Sequence, residues 1–346
     1  MYYPEKIKQA PITGLAGFGG GASGLGINVF VKKATFDNGG DRALAMGGHD
    51  GSWPSYGGIS RIDYWDIATN SGSVSDFGDV SSDRTYAGAC SDSSRGVMMG
   101  GRHHHNGDQN IIDYVTIAST GNSTDFGDLG AIATACTGLS DATRGVCVTG
   151  KYNNVEYAGV IEYITIQTTG NATDFGDMVT SNGGLGNPDG GSDGITGIYA
   201  GGYVSSGGSE VLSDAMEYIT IATIGNATDW GDLIPFARAW PGGAGNHEKC
   251  LWCGGNASGT YTNAIVYSIY TTIGSCTDFG DLTGNRSYMD GQASETRAVF
   301  TGGYKGSSQY EDEIEYITIA TTGDATDWGN LHDESYGHGT CSGDAS

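Results

Sequence analysis

Long apolar runs, prolines and basic residues are all scarce in this 346-residue chain. No stretch approaches the ~18 apolar residues of a membrane-spanning helix. No segment keeps the 3.6-residue period of an amphipathic helix either, which sets helical folds aside. Cysteines number only seven, an odd count at irregular spacing, so reduced thiols are expected and a disulfide framework is not. Cys250 and Cys253 form a C-x-x-C, but three residues apart on a strand they point to opposite faces, so packing explains them better than zinc or redox chemistry. Lys plus Arg is 16 against 40 for Asp plus Glu, a net charge of −24. So acidic a chain argues against docking on nucleic acid or an anionic bilayer. The first thirty residues lack a secretory pattern because Gly17 to Gly26 breaks up any apolar segment, and folding in a reducing cytoplasm is expected. What the chain does have is 61 glycines, 20 tyrosines and much Thr, Ser and Asn, the makings of short strands in tight turns.

From Arg42 onward one text recurs six times. Each copy opens with a short apolar run ending in paired glycine, as in Arg95-Gly-Val-Met-Met-Gly-Gly101, at Arg42, Arg95, Arg144, Thr196, Lys249 and Arg297. The steps are therefore 53, 49, 52, 53 and 48 residues. A strand such as Ile161-Glu-Tyr-Ile-Thr-Ile166 follows, then a Thr-Gly-Asn-Ala turn and an Asp-(Phe/Trp)-Gly-Asp box. Strand-built repeats of this length predict a propeller. Apolar residues in both phases of the strands fit sheets covered on both faces.

The paired glycines (Gly47-Gly48, Gly100-Gly101, Gly201-Gly202, Gly254-Gly255, Gly302-Gly303), the third-strand tyrosines (Tyr64, Tyr114, Tyr163, Tyr218, Tyr267, Tyr316) and the fourth-strand aromatics (Phe77, Phe126, Phe175, Trp230, Phe279, Trp328) resemble the kelch motif. Thr149-Gly150 departs from it, and the third and fourth strands are spaced more widely than in ordinary kelch. The near-verbatim Thr-Gly-Asn-Ala-Thr-Asp-Phe-Gly-Asp-Leu also resembles the tandem-repeat proteins of tailed phages, marine cyanophages among them. The expected fold is all-β: a six-bladed, kelch-like β-propeller over residues 41–346, four strands per blade, with an extended N-terminal arm over 1–40. No first-strand text precedes Arg42, whereas Glu334-Ser-Tyr-Gly-His-Gly-Thr-Cys341 has no paired-glycine strand after it. The C-terminal strand is therefore expected to pair into the first blade and close the ring.

Several motifs tempt and fail. Asp-Phe-Gly without a lysine strand and a catalytic loop is no kinase. Calcium held between pairs such as Asp125 and Asp128 gives way to a repeated turn whose carboxylate caps backbone amides. Gly19-Gly-Gly-Ala-Ser-Gly24 and Gly190-Gly-Ser-Asp-Gly194 lack the strand-to-helix settings that would give them chemistry. His103-His104-His105 is the one compact group of metal-ligand types, read as an exposed polar loop. No metal and no cofactor is expected.

Loops between third and fourth strands are nearly identical from copy to copy, whereas those between second and third strands share almost nothing. The unlike loops should emerge on one face, and they carry Trp53, Tyr56, His103, His104, His105, Tyr152, Tyr157, Tyr203, Tyr261, Tyr304 and Tyr310. Aromatics among Gly, Ser and Asn make an adaptable recognition surface. The first forty residues carry Tyr2, Tyr3, Lys6, Lys8, Lys32 and Lys33 against Glu5 and Asp37, a charge of +2; the remainder has 12 basic and 38 acidic residues, or −26. An arm of opposite sign reads as an anchor to other virion proteins. The expected function is that of a phage virion structural protein, a tail fibre or other surface appendage anchored by its arm. Such a protein would fold in the host cytoplasm and be exposed on the particle, where its loop face attaches to a host glycan or protein. The alternatives are capsid decoration or tail assembly without a receptor, and a propeller-face enzyme such as a glycosidase or oxidase. Against an enzyme stands the absence from the sequence of any visible convergent, non-repeated set of acids, His and Tyr.

Overall fold

A computed structural model describes residues 40–51, 57–69, 71–156, 158–179, 185–206 and 209–345. These residues are all-β, without a helix, in a propeller arrangement. The arm residues Tyr2, Tyr3, Lys6, Lys8, Lys32 and Lys33 lie outside them, as do Trp53, Tyr56 and Tyr157.

Each sheet is an antiparallel meander in chain order. In the first repeat Arg42–Met46 pairs Arg61–Asp66, which pairs Ser75–Asp79. The other side of Arg42–Met46 is taken by the C-terminal strand Gly339–Gly343, in a register running from Arg42 opposite Gly343 to Met46 opposite Gly339. The expected closing strand is thus in place, and it leaves no open edge at the seam. The fourth, fifth and sixth repeats each form a four-stranded sheet as well. The second and third do not separate into two sheets: they share one of nine strands, because Thr124–Ser140 runs unbroken. Its beginning pairs the third strand of the second repeat, and from Ala133 it pairs Arg144–Tyr152 of the third. Elsewhere the matching connection contains a chain-stopping Pro, Asp or Asn. Here Gly130-Ala-Ile-Ala-Thr134 offers no such stop, so pairing continues through it.

Six apolar clusters fill the spaces between successive repeats. The second strand serves two of them at once. Ala43 and Ala45 face Val299 and Trp328 of the sixth repeat, while Leu44 and Met46 face Met98 and Val115 of the second. A fully buried Leu, Met, Val or Ile here contributes about 1.5–3 kcal/mol and each alanine methyl about 0.8 kcal/mol, so this alternation is what joins repeat to repeat. The repeat-opening cations add a polar staple. Arg42, Arg95, Arg144, Lys249 and Arg297 lie over the tyrosine rings of their own third strands and donate to the backbone of the next repeat at Ile117, Ile166, Ile221, Ile319 and Ile67.

The Asp-Phe-Gly-Asp boxes are not the capping turns that their paired acids suggested, whereas the fourth-strand placing of their aromatics holds. The boxes are the fourth strands themselves, each with a bulge in its pairing to the third strand. The capping is done by the turn of the following repeat. Gly121, Gly170, Gly225 and Gly323 donate to the carbonyls of Phe77, Phe126, Phe175 and Phe279, and Gly72 to that of Trp328. Side-chain oxygens of Asn122, Asn171, Asn226 and Asp324 accept from the amides of Asp79, Asp128, Asp177 and Asp281 at 3.1 Å. The most conserved wording of the repeat therefore makes a belt around the outside of the molecule.

At the centre the innermost strands are small-residue text such as Gly88-Ala-Cys-Ser91 and Gly242-Gly-Ala-Gly245. They contact one another in a closed circuit: Gly339–Gly343, Gly88–Ser91, the end of Thr124–Ser140, Asp189–Ser192, Gly242–Gly245, Asp290–Ala293, and back to the first. The approach is close enough that a Cβ on Gly138 would lie 1.9 Å from the Ala89 carbonyl oxygen. Hydroxyls bridge the gaps between these unpaired edges: Ser91 donates to Ser342 O, Thr137 to Pro188 O and Ser192 to Ser140 O.

Candidate functional site

The variable loops are mostly small hairpins. Tyr203–Ser206 pairs Ser209–Leu212, Asn256–Ala257 pairs Thr260–Tyr261, and Tyr304–Gly306 pairs Gln309–Tyr310. Their bases are bridged to the segments that lead into the innermost strands, through Thr85 with Arg102, Gly186 with Tyr203, Ala239 with Asn256, Ser287 with Tyr304 and Tyr336 with His49. Hairpins and lead-ins thus share one end of the axis, the arrangement that the sequence suggested for the unlike loops.

The residue after each bridge takes a left-handed backbone. Tyr86, Asn187, Trp240 and Tyr288 have φ of 58°, 60°, 53° and 58°, Ala135 has 56°, and Gly337 has 65°. For the residues with a Cβ this costs on the order of 1–2 kcal/mol each. A backbone collar holds them there: Tyr288 N donates to Trp240 O, Gly337 N to Tyr288 O, Tyr86 N to Gly337 O and Cys136 N to Tyr86 O. The outcome is that Tyr86, Trp240 and Tyr288 all line the mouth of the axis.

Aromatic rings spread outward from this collar. Trp240 stacks on Tyr288 at 4.2 Å and 23°, and Tyr310 on Tyr336 at 5.2 Å and 11°. Tyr288 meets Tyr336 edge-on at 5.6 Å, Tyr304 joins Tyr310 at 5.2 Å, Tyr261 meets Tyr304 at 5.6 Å and Tyr203 meets Trp240 at 5.0 Å. His49 adds a contact to Tyr336 at 5.1 Å, with His104 6.4 Å beyond it. All these tyrosines and Trp240 are half-buried: the cluster is pre-packed, yet rings remain presented to solvent. Burial pushes the phenols of Tyr86, Tyr288, Tyr203 and Tyr261 up, and tyrosine neighbours push the same way, so they act as neutral hydroxyls.

Two recesses flank Tyr86. A lateral one of about 300 Å³ is lined by His49, Gly58, Thr85, Tyr86, Arg102, His104 and Tyr336. Burial lowers the His49 pKa, against the pull of Asp50, and its Nδ1 accepts from Gly51 N at 2.9 Å. The second recess, about 70 Å³, lies on the axis itself and includes Asp189, Asp290 and His338 in its walls. Asp189 accepts from Gly243 N at 2.6 Å and Gly190 N at 2.8 Å. Asp290 accepts from His338 N at 2.8 Å. Burial raises the pKa of both carboxyls, most strongly at Asp189, where the Asp290 charge adds to it.

Of the residues singled out from sequence, Tyr203, Tyr261, Tyr304, Tyr310 and His104 belong to this cluster. Tyr152 is placed elsewhere. It packs on the core between the second and third repeats, and its hydroxyl lies 3.1 Å from Glu162, with its pKa pushed up to about 12 by burial and that carboxylate. His103 pairs with Asp83 at 2.9 Å and accepts the amides of His105 and Asn106 on its Nδ1. It therefore shapes its own hairpin, and His105 is exposed, 4.5 Å from His104. Cys250 and Cys253 are buried free thiols in different core clusters. Among the described residues no group of three His, Cys, Asp or Glu converges as a metal-ligand set.

Sequence reasoning missed Tyr86, Trp240, Tyr288 and Tyr336, and with them the acids Asp189 and Asp290. The structure also corrects the statement that no non-repeated acids, His and Tyr converge, since Asp189, Asp290, His338, Tyr86 and Tyr288 do. The missed signal lay in the lead-ins. Aligned across repeats, the left-handed position reads Tyr86, Ala135, Asn187, Trp240, Tyr288, Gly337, and Asn and Gly mark such a backbone. No protein-family model matches this chain, and no curated protein does.

Proposed function

We propose that this chain is an attachment module: a six-bladed, kelch-like propeller that binds host-surface glycan at the aromatic mouth of its axis. In the setting that its repeat text resembles, it is a virion structural protein of a tailed phage, a tail fibre or other surface appendage anchored to other virion proteins through residues 1–40. Six blades follow from dividing the nine-stranded sheet at the bulged stretch of Thr124–Ser140, where pairing passes from the second repeat to the third. The six inter-repeat cores and the closed circuit of six innermost strands support that count.

The observation that carries the glycan reading is the convergence of half-buried rings from variable hairpins and strained lead-ins onto one end of the axis. Aromatic faces stack on the C–H faces of sugars, and a pre-packed cluster loses little entropy on binding. The lateral recess is at the small end of ligand-site volumes. The test is binding of the full chain to glycan fractions from host envelopes, with Trp240→Ala and Tyr288→Ala as variants. Each is expected to weaken binding at least tenfold with folding intact. Unchanged binding in both refutes the mouth as the site, and no binding to any fraction leaves decoration or assembly as the role. For the anchor, virions should lose the protein when residues 1–40 are deleted; normal incorporation contradicts that part.

Asp189 and Asp290 favour a second reading, in which the same mouth hydrolyses the glycan it binds, since carboxyls with raised pKa supply general acids. Release of new reducing ends, abolished by Asp290→Asn, is the outcome that separates this from attachment alone.

A further inference from the structure

We infer that the axial recess receives a small organic ammonium group, so that the ligand recognised at the mouth carries a free amine or a quaternary ammonium. The inference rests on the glycan reading and narrows its substrate class. Asp189 and Asp290 stand at equivalent places, the first residue of the innermost strand in the fourth and sixth repeats. The corresponding residues in the other repeats are Gly88, Thr137, Gly242 and Gly339. Four of the six repeats therefore close the ring without an acid at this position, and the two carboxyls bring charge to the axis in addition to the bonds they accept from Gly243 N and His338 N.

The charge in the recess is one-sided. No Lys or Arg is among its lining residues; its titratable groups are Asp189, Asp290, His338, Tyr86, Tyr288 and Cys136. Two half-buried carboxyls with no Lys or Arg beside them, and with only the His338 ring near one of them, form a low-dielectric site in which an entering cation would favour the ionised form. His338, only 3 % exposed, contributes a second observation. Its Nε2 meets the Ser335 hydroxyl at 2.9 Å, but its Nδ1 has no hydrogen-bond partner and stands 3.5 Å from Asp290, in the wall of the recess. Tyr86, Trp240 and Tyr288 around the opening provide ring faces that attract a cation. Size sets the limit. At about 70 Å³, well below the roughly 300–1,000 Å³ of ligand pockets, the recess admits a substituent and not a sugar ring, which would rest on the aromatic cluster above.

The same chemistry can come from a hexosamine with an unacetylated amine or from a choline substituent. Titration of the full chain with glucosamine, N-acetylglucosamine, glucose, choline and tetramethylammonium distinguishes them. The expected result is that glucosamine or choline binds at least tenfold tighter than its neutral counterpart. Asp290→Asn keeps an accepting oxygen for His338 N, whereas Asp189→Asn gives up one of its two amide bonds, since Oδ1 takes Gly190 N and Oδ2 takes Gly243 N; each should remove at least fivefold of that preference and leave glucose unaffected. Equal binding of glucosamine and glucose, or preferences untouched by both variants, overturns the ammonium inference while the glycan reading stands. Binding of choline and tetramethylammonium with no sugar binding keeps the ammonium site and overturns the glycan reading. Near-ultraviolet circular dichroism confirms that each variant is folded.

Discussion

Three arginines at one repeat position give the sharpest test of the energetic reasoning. Arg84, Arg238 and Arg286 enter their sheets at the same place, each with a fully buried side chain. Each reaches the carbonyl at one third-strand position with Nη1: Ile111, Ala264 and Glu313. Two residues on, Arg84 finds Asp113 at 2.5 Å and Arg286 finds Glu315, whereas Arg238 faces Val266. Its Nη2 and Nε have no hydrogen-bond partner in the protein, and burial lowers its pKa. Replacing Arg84 or Arg286 by Met strands a carboxylate that is at most 1 % exposed, which costs about 3–5 kcal/mol.

Arg238→Met strands no acid. The Ala264 carbonyl keeps its bond from Gly254 N, so the loss is confined to the Gly254 carbonyl at 3.0 Å, about 1–3 kcal/mol. Against that stands relief of a buried charge that has the Phe236 ring at 5.9 Å but no carboxylate partner, several kcal/mol, while a flexible Met fills the space of the stem. The net is expected near zero or stabilising, at least about 3 kcal/mol apart from the other two variants. Urea unfolding followed by tryptophan fluorescence, with m-values compared, reads the difference directly. An Arg238→Met variant as destabilised as Arg84→Met would refute the account.

Gly138→Ala should destabilise by about 1–3 kcal/mol or more through overpacking, because its Cβ would run into the backbone of Ala89; an unchanged urea midpoint contradicts that. Asn171→Ala removes one belt hydrogen bond and should cost about 1 kcal/mol, whereas equal stability would leave the repeated turn unexplained. The carboxyls of Asp189, Asp290 and Glu162 have pKa values raised by burial. Their contribution is therefore fully present below the ordinary carboxylate range and is lost as pH rises through the raised folded values. Asp290→Asn should gain stability relative to the parent as pH increases over that window, and parallel pH profiles would contradict this.

The scaffold was legible because each repeat states its contacts in residue type. Alternating apolar residues in the second strand meet neighbours of the same description one repeat on, while within each repeat a cation lies over the third-strand tyrosine and that tyrosine meets the fourth-strand aromatic. Edge-on pairs such as Tyr64 with Phe77 and Tyr163 with Phe175, at 5.7 and 6.1 Å, are the physical form of that periodicity. The mouth was less legible because its determinant is a backbone angle. Nothing in the side-chain chemistry of Tyr86 or Trp240 announces φ near +55°, and only the Asn and Gly in the same column hint at it. The continuous strand Thr124–Ser140 escaped for the opposite reason: a missing stop signal is harder to see than a present one.

The seam between Arg42–Met46 and Gly339–Gly343 has a mechanical consequence. Arg42 lies opposite Gly343, so the chain enters the first strand and leaves the last at the same edge of the sheet. Tension applied between those two points would load the seam's hydrogen bonds one after another, as in a zipper, rather than all together in shear. A propeller of this build tolerates pulling through either end alone, since the ring then carries no load across its seam. Held by both ends, it would open there first. A tether at one terminus alone would keep drag forces off that seam.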